Sequence, residues 1–302
     1  MIIYMNMLRK RLQNKTILKQ AKFNMKNFWS IGHNKRISLH PSSVLMGILN
    51  VTPDSFSDGG DHNSLQEAVN FGQKMMDDGA SIIDIGGEST RPGFDAVNVK
   101  EEQNRVLPVV EKLAGRDATF LSIDTYHAET AYLALKAGAH IINDIWGLQH
   151  DPEMAEIIAS ERAGVVIMHN CRDRDVMTDI IEDQKFFFDK SLELAKKSGI
   201  ADDAIVLDPG FGFGLDFHDN LVLLNRASEL HMFGFPLLAA TSRKRFLGTL
   251  TGQQDAKMRD IATTATSVLL RQAGFSIFRV HNVMMNKDAL AVVDGVEGVA
   301  CN

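Results

Sequence analysis

At 302 residues, with 45% hydrophobic and 23% charged content, the chain has enough apolar material for one large globular domain or two small ones. No apolar run nears the roughly 18 residues of a membrane span. The two cysteines, Cys171 and Cys301, stand far apart outside any CxxC pattern, which argues against a disulfide framework and a zinc site and fits a reducing cytoplasm. The net charge of −6 conceals an asymmetry: residues 1–40 hold nine of the 32 Lys and Arg and no acidic residue, leaving 23 basic against 38 acidic groups, or −15, in the remainder. That acidic balance argues against nucleic-acid binding.

A basic, acid-free start suits a transit peptide or a nucleic-acid arm, but residues 1–27 lack the serine richness of a transit peptide and read rather as a basic N-terminal extension, disordered or helical, or as an upstream start with Met25 as the real beginning. Residues 28–302 read as a single domain. From residue 43 onward, short apolar runs alternate with amphipathic segments. The runs are "SVLMGILN", "SIIDIGG", "TFLSID", "HIIND", "GVVIMHN", "AIVLDPG", "PLLAATS" and "SIFRVHN". Continuous Ile/Val/Leu runs of this length suit strands buried on both faces of a parallel sheet. Between them, residues 64–78, 99–113, 128–137, 152–159 and 180–197 carry helical patterns. Asp151-Pro152 resembles an N-cap followed by an N1 proline, and Gly138 and Gly199 sit where helices end.

Eight strand–helix units in about 260 residues predict an α/β fold of the (β/α)8, or TIM-barrel, type. An open doubly wound sheet would use fewer strands and a Gly-rich first turn, and no GxGxxG follows the first strand. A barrel places chemistry at the C-terminal ends of its strands. All eight runs end in polar residues: Asn50; Asp84 with Glu88; Asp124; Asn143; His169 with Asn170; Asp208; Ser242 with Lys244; Arg279 with His281. Helix capping explains a lone Asp or Asn after a strand. It does not explain Lys244, Arg279 and His281.

The ring divides by chemistry. Asp124, Asn143, Asp208 and Lys244 suit a flat heterocycle with adjacent NH and NH2 groups, because carboxylates accept parallel hydrogen bonds and lysine can donate to a carbonyl or ring nitrogen. A guanine-like and a pterin-like edge both fit. Asn50, Thr90, Arg91, Arg279 and His281 suit a diphosphate with Mg2+, which is held by few protein oxygens together with phosphates. Displacement of a diphosphate leaving group is the reaction such a pair of sites implies. A Schiff base on Lys244 is the covalent alternative. Arg243 and Arg245 would lower its pKa, but the nearby carboxylates are expected to dominate and raise it.

"MGILNVTPDSFSDGG", "DIGGESTRPG", "SIDT", "IND", "LDPGFGFG", "TSRK" and "RVHN" resemble, in order and spacing, the dihydropteroate synthase family of folate biosynthesis, over residues 28–300. The resemblance implies the barrel fold and the joining of dihydropterin-CH2-diphosphate to p-aminobenzoate with release of diphosphate. It implies that Asp124, Asn143, Asp208 and Lys244 hold the pterin, and that Asn50 serves the Mg2+ and diphosphate site with Thr90, Arg279 and His281. The first two strand–helix loops, with Thr52, Asp54, Phe56, Asp58, Arg91 and Pro92, would close over the substrates. Asp58, Arg91 and Lys244 are the candidate catalytic residues. Phe56, Pro92 and Arg245 would line the p-aminobenzoate pocket, where sulfonamides compete in this family. Members are commonly dimers, so a cytoplasmic homodimer without membrane or nucleic-acid partners is expected.

The chain departs from the family pattern at Leu215 (usually Lys), Ala240 (often Gly), Arg245 (often Ser) and Asn282 (usually Asp). A pterin-dependent methyltransferase module would share the barrel and pterin pocket but has no use for the "STRPG" and "RVHN" anion sites. A non-catalytic pterin binder would tolerate loss of Asn50, Asp58 or Arg91, all of which are present. Trp146 and the Phe residues of "KFFF" read as helix packing and Cys171 as incidental, while Phe211 and Phe213 are divided evenly between packing and stacking on the heterocycle.

Overall fold

The computed structural model describes residues 27–52, 60–88, 97–115 and 119–299, the side chains of 60–63 excepted. The basic extension before residue 27 lies outside them. Ten strands are present among the described residues: β1 (Phe28–Ile31), β2 (Lys35–Ser38), β3 (Val44–Asn50), β4 (Ile82–Gly86), β5 (Phe120–Asp124), β6 (Ile141–Asp144), β7 (Gly164–Met168), β8 (Ile205–Asp208), β9 (Leu238–Ala239) and β10 (Ile277–Val280). The last eight form one parallel sheet in the order β8-β7-β6-β5-β4-β3-β10-β9. A parallel bridge between Leu207 and Leu237 joins its two ends, so the sheet closes into the expected barrel.

The helices that return the chain between strands are α1 (Gly60–Asp77), α2 (Val99–Leu113), α3 (Ala128–Lys136), α4 (Met154–Ser160), α5 (Ile180–Ser198), α6 (Phe217–Arg226), α7 (Arg245–Thr251) and α8 (Asp260–Gln272), and α9 (Val283–Val299) follows the last strand. Their bounds follow local chemistry. Asp179 caps α5 by accepting from the Ile181 and Glu182 amides, and Gly199 ends it at φ 84°. Asp151 departs from the expected simple cap. Its Oδ1 accepts from Glu153 N, while its Oδ2 reaches across to the Ala128 amide at the start of α3.

Strand alternation sorts side chains into two apolar shells. One set, including Leu45, Leu49, Ile83, Ile85, Leu121, Ile123, Val165 and Leu207, packs outward against the helices. The other, including Val44, Met46, Ile82, Ile141, Val166, Val206, Leu238 and Ile277, fills the barrel.

Two features differ from the sequence reading. The run "PLLAATS" contributes only Leu238–Ala239 as a strand, with Leu237 beside it making the single closing bridge to Leu207. Pro236 has no N–H to donate, and beyond Ala239 the side chains of Thr241 and Ser242 bond to Thr266 and His281 as the chain turns away. The second is the unanticipated antiparallel hairpin β1–β2. Its Trp29, Ile31, Ile37 and Leu39 join the barrel-filling cluster from below. Trp29 is fully buried and its indole N–H donates to Ala204 O at 2.8 Å. The hairpin stoppers the end of the barrel where the strands begin.

No helix among the described residues is long and apolar enough to cross a membrane.

Candidate active site

Register explains why the polar residues meet. Asn50, Gly86, Asp124 and Asn143 are aligned across β3, β4, β5 and β6 at the C-terminal end of the barrel. Ile48, Asp84 and Ser122 form the layer beneath. On the neighbouring strands Met168 aligns with Asp208. Gly86 leaves room between Asn50 and Asp124: a Cβ there would lie 3.8 Å from Asp124 Oδ2 and 3.9 Å from Asn50 Oδ1.

Arg279, from β10, ties this end together. Its Nε donates to Asp84 Oδ2 and its Nη2 to Asp124 Oδ2, both at 2.6 Å. Asn143 Nδ2 donates to the same Asp84 oxygen at 3.1 Å. Three buried polar atoms then have no hydrogen-bond partner among the described residues: Asp84 Oδ1, Asn143 Oδ1 and Ser122 Oγ. Buried acceptors cost free energy unless paired. Two carbonyl-type oxygens left open in one apolar barrel are therefore set for a ligand that brings N–H donors.

The opposite wall is built on loops. Asp208 ends β8, and its Oδ1 accepts from the Gly210 amide at 2.8 Å. Gly210 has φ 70°, and a Cβ there would come within 2.0 Å of the His169 carbonyl oxygen, so no larger residue fits. The loop continues to Phe213, with the Lys244 ammonium 4.0 Å and the Arg172 guanidinium 5.0 Å from the centre of its ring. Phe213 thus belongs to the site. Phe211 does not: it is fully buried and stacks on Phe246.

Charge in this space is far from its behaviour in water. Burial, opposed by Arg279, pushes the Asp124 carboxyl up to about 7, with Asp84 adding to the rise. Burial raises Asp208 to about 6 against the Gly210 amide and the Lys244 charge. Burial works against the Arg279 charge, yet Asp84 and Asp124 hold its pKa above the ordinary value. Lys244 corrects the sequence expectation. Burial and then the Arg279 charge bring it down to about 7, outweighing Asp208 and Asp124. The flanking arginines are not the cause: Arg243 turns away to pair with Asp260, and Arg245 is exposed at the start of α7.

The structure thus brings together Asn50, Asp124, Asn143, Asp208, Lys244 and Arg279. His281 stands at the end of β10, where its Nδ1 lies 2.9 Å from Ser242 Oγ. Asp54, Phe56, Asp58, Thr90, Arg91 and Pro92 lie outside the described residues. Asp84 was legible as a polar strand end but not as the centre of the cluster. The signal is its place two residues before Gly86, on the same inward face.

His169 leaves the predicted ring. Met168 takes the inward position, so His169 faces outward into a fully buried pair with Asp183. Trp146 is another correction. Instead of packing between helices, it joins Ile145, Met168, Phe213 and Tyr126 in an apolar cluster beside the barrel mouth.

Comparison with known proteins agrees with this geometry. The family described as "Pterin binding enzyme" matches residues 46–281. The dihydropteroate synthase of Bacillus subtilis is 45% identical over 247 residues, covering 82% of this chain and 86% of that protein. That of Synechocystis is 42% identical over 260 residues, covering 84% and 90%. Among solved structures, dihydropteroate synthase from Clostridium difficile in the presence of pteroic acid superposes with a TM-score of 0.82 at 47% identity, covering 84% of this chain and 97% of that one. The Xanthomonas albilineans enzyme with 4-aminobenzoic acid gives 0.84 at 39%, covering 89% and 98%. The chain belongs to the pterin-binding enzyme family and, within it, to the dihydropteroate synthases.

Proposed function

We infer that the chain is a transferase of folate biosynthesis that condenses (7,8-dihydropterin-6-yl)methyl diphosphate with p-aminobenzoate to give 7,8-dihydropteroate and diphosphate. The single observation that carries this reading is the set of buried acceptors with no partner, Asp84 Oδ1 and Asn143 Oδ1, beside the carboxyls of Asp124 and Asp208. A pterin edge offers the row of N–H donors that would satisfy them. Lys244 would donate to the pterin carbonyl or ring nitrogen from its seat on Phe213.

The reaction breaks the bond between the methylene carbon and the diphosphate oxygen, the electron pair leaving with the diphosphate. The arylamine nitrogen then bonds to that carbon and gives up a proton. No side-chain nucleophile is needed, so the lowered pKa of Lys244 does not revive the Schiff-base route. Arg279 and His281, with Asn50 and Thr90, would receive the leaving group. Asp58 and Arg91 are proposed to steady the step from the loops, and Phe56, Pro92 and Arg245 to wall the arylamine pocket, where sulfonamides would compete.

Mg2+ is the proposed cofactor. Asn50 is the protein ligand proposed for it: its Oδ1 faces the gap over Gly86, 3.9 Å from where a Cβ there would stand, and one hard oxygen donor shared with phosphate oxygens suits Mg2+. The ion would supply charge stabilisation for the departing diphosphate.

A homodimer is also proposed. Ile261 and Leu269 on α8, and Val292, Val296 and Val299 on α9, are apolar and exposed on the last two helices, a face suited to a second copy. A cytoplasmic location accords with the sparse cysteines. The test is a diphosphate-release assay with both substrates and Mg2+, run with and without p-aminobenzoate. Release that depends on p-aminobenzoate is expected; none at saturation would overturn the reading.

A further inference from the structure

Behind β7, outside the ring of strand ends, His169, Cys171 and Asp183 bring three potential ligand atoms within 4.8 Å of one another. The guanidinium of Arg174 already takes a cation's place there. Its Nη1 donates to Asp183 Oδ1 at 2.9 Å, and its Nη2 donates to Oδ2, the oxygen that lies 2.7 Å from His169 Nε2. Met177 N donates to Oδ1 as well, at 2.8 Å. One fully buried carboxylate on α5 thus has four contacts from three residues, His169, Arg174 and Met177, all in the segment that follows β7. Burial also pushes the Cys171 thiol up to about 12, which keeps it a neutral packing group rather than a thiolate ligand.

The consequence lies on the other side of that loop. Arg174 Nε donates to Asn170 O at 2.8 Å, and Asn170 in turn bonds Ile145 O and the Arg172 amide. With residues 169–171 so fixed, they template the glycine-rich loop after β8. His169 N donates to Asp208 O, and Cys171 N to Phe213 O. Gly210 is pressed against the His169 carbonyl, and a Cβ on Gly214 would lie 2.7 Å from Cys171 Cβ. Phe213 is the ring on which both Lys244 and Arg172 rest.

We propose that Asp183, with Arg174 and His169, is a positioning residue of this enzyme, setting the Phe213 ring and through it the Lys244 ammonium for the pterin substrate. The inference rests on the reading of Lys244 and Asp208 as the pterin wall. Gln184 Nε2 and Asn220 Oδ1 hold the glycine loop at Pro209 O and the Gly212 amide, but the bond to Phe213 O comes from Cys171 N, in the segment that Arg174 and Asp183 fix, so this buried anchor bears on the Phe213 ring itself.

The experiment compares wild-type enzyme with Asp183→Asn, Arg174→Lys, Phe213→Leu and the Asp183→Asn/Phe213→Leu double variant. All are assayed well below their unfolding temperatures and normalised to folded protein. Asp183→Asn keeps the size of the side chain but loses the charge that balances Arg174. It is expected to raise KM for the pterin diphosphate about tenfold while changing KM for p-aminobenzoate less than about twofold, a cost in the range of a misplaced contact. Arg174→Lys, which keeps the charge and loses the fork, should give a smaller shift in the same direction. Amide exchange across residues 210–214 should accelerate without change in β3–β6. In the Phe213→Leu background, Asp183→Asn should add little, because both act through one ring. Additive losses, or a lower melting temperature with unchanged KM values, would overturn the proposal. A separate Lys244→Ala variant tests the underlying reading: if it leaves pterin KM unaltered, the pterin wall is wrong irrespective of Asp183.

Discussion

The two ends of the barrel are made by the same strands and the same alternation, yet they are opposite environments. Where the strands begin, the hairpin seals the interior with Trp29, Ile31, Ile37 and Leu39, and the barrel-filling cluster there is entirely apolar. Where they end, the inward positions include Asn50, Asp84, Ser122, Asp124, Asn143, Asp208 and Arg279. One end is satisfied by its own contacts; the other keeps acceptors open and carboxyls far above their ordinary pKa. The comparison shows why a barrel of this kind tolerates such a costly site. The apolar end and the surrounding helices supply the stability, and the polar end is left to bind.

That division can be broken from either side. The largest effect is expected for Asp124→Ala, which removes one pterin acceptor and a partner of Arg279. Affinity for the pterin substrate should fall at least about a hundredfold, since a charge-assisted bond is lost and its partner is left buried. Calorimetry showing retained tight binding would mean that the heterocycle grip lies elsewhere. At the sealed end, Trp29→Ala should cost about 3–5 kcal/mol of stability, as for other buried aromatic truncations. The folded fraction should keep its KM values, and a KM change as large as that of Asp124→Ala would show that the two ends are not independent.

A pH measurement sharpens the contrast. The folded carboxyl of Asp208 titrates near 6, above its unfolded value, so the native state holds a proton that the unfolded chain has released. Its contribution to stability is therefore largest at low pH and declines as pH rises from about 4 to 6. Urea unfolding of Asp208→Asn should show stability relative to wild type improving between pH 4.5 and 6.5; a constant difference would contradict the assigned shift. The smallest effect is expected for Ser30→Ala at the hairpin edge. It removes the bond from Ser30 Oγ to Asp203 Oδ2 at 2.9 Å and should cost about 0.5–1.5 kcal/mol with no kinetic signature.

Much of this was legible in the sequence. Runs of β-branched and aliphatic residues at eight places, each ending in a polar group, were enough for the barrel and for the end that carries the site. The hairpin was not, because "FWSI" and "KRIS" are short and the second is half charged, so neither shows the apolar run of a central strand. Its strands are held by the barrel they plug, a long-range cause invisible to local periodicity. His169 and Trp146 were misplaced for a related reason. A residue just past a strand end continues or breaks the alternation depending on the packing it meets, and only α5 with its Asp183 fixes His169 outward.

The amino-acid order by itself determined the period of the strands and helices, the chemistry at each strand end and the family signature, since these depend on neighbours a few residues apart. Tertiary structure alone decided that Asp84 stands at the centre of the cluster, that Arg279 bridges it to Asp124, and that Lys244 is pulled toward neutrality. Those properties arise from groups up to 195 residues apart meeting in a space from which water is excluded. There, a charge is set less by its own side chain than by what surrounds it.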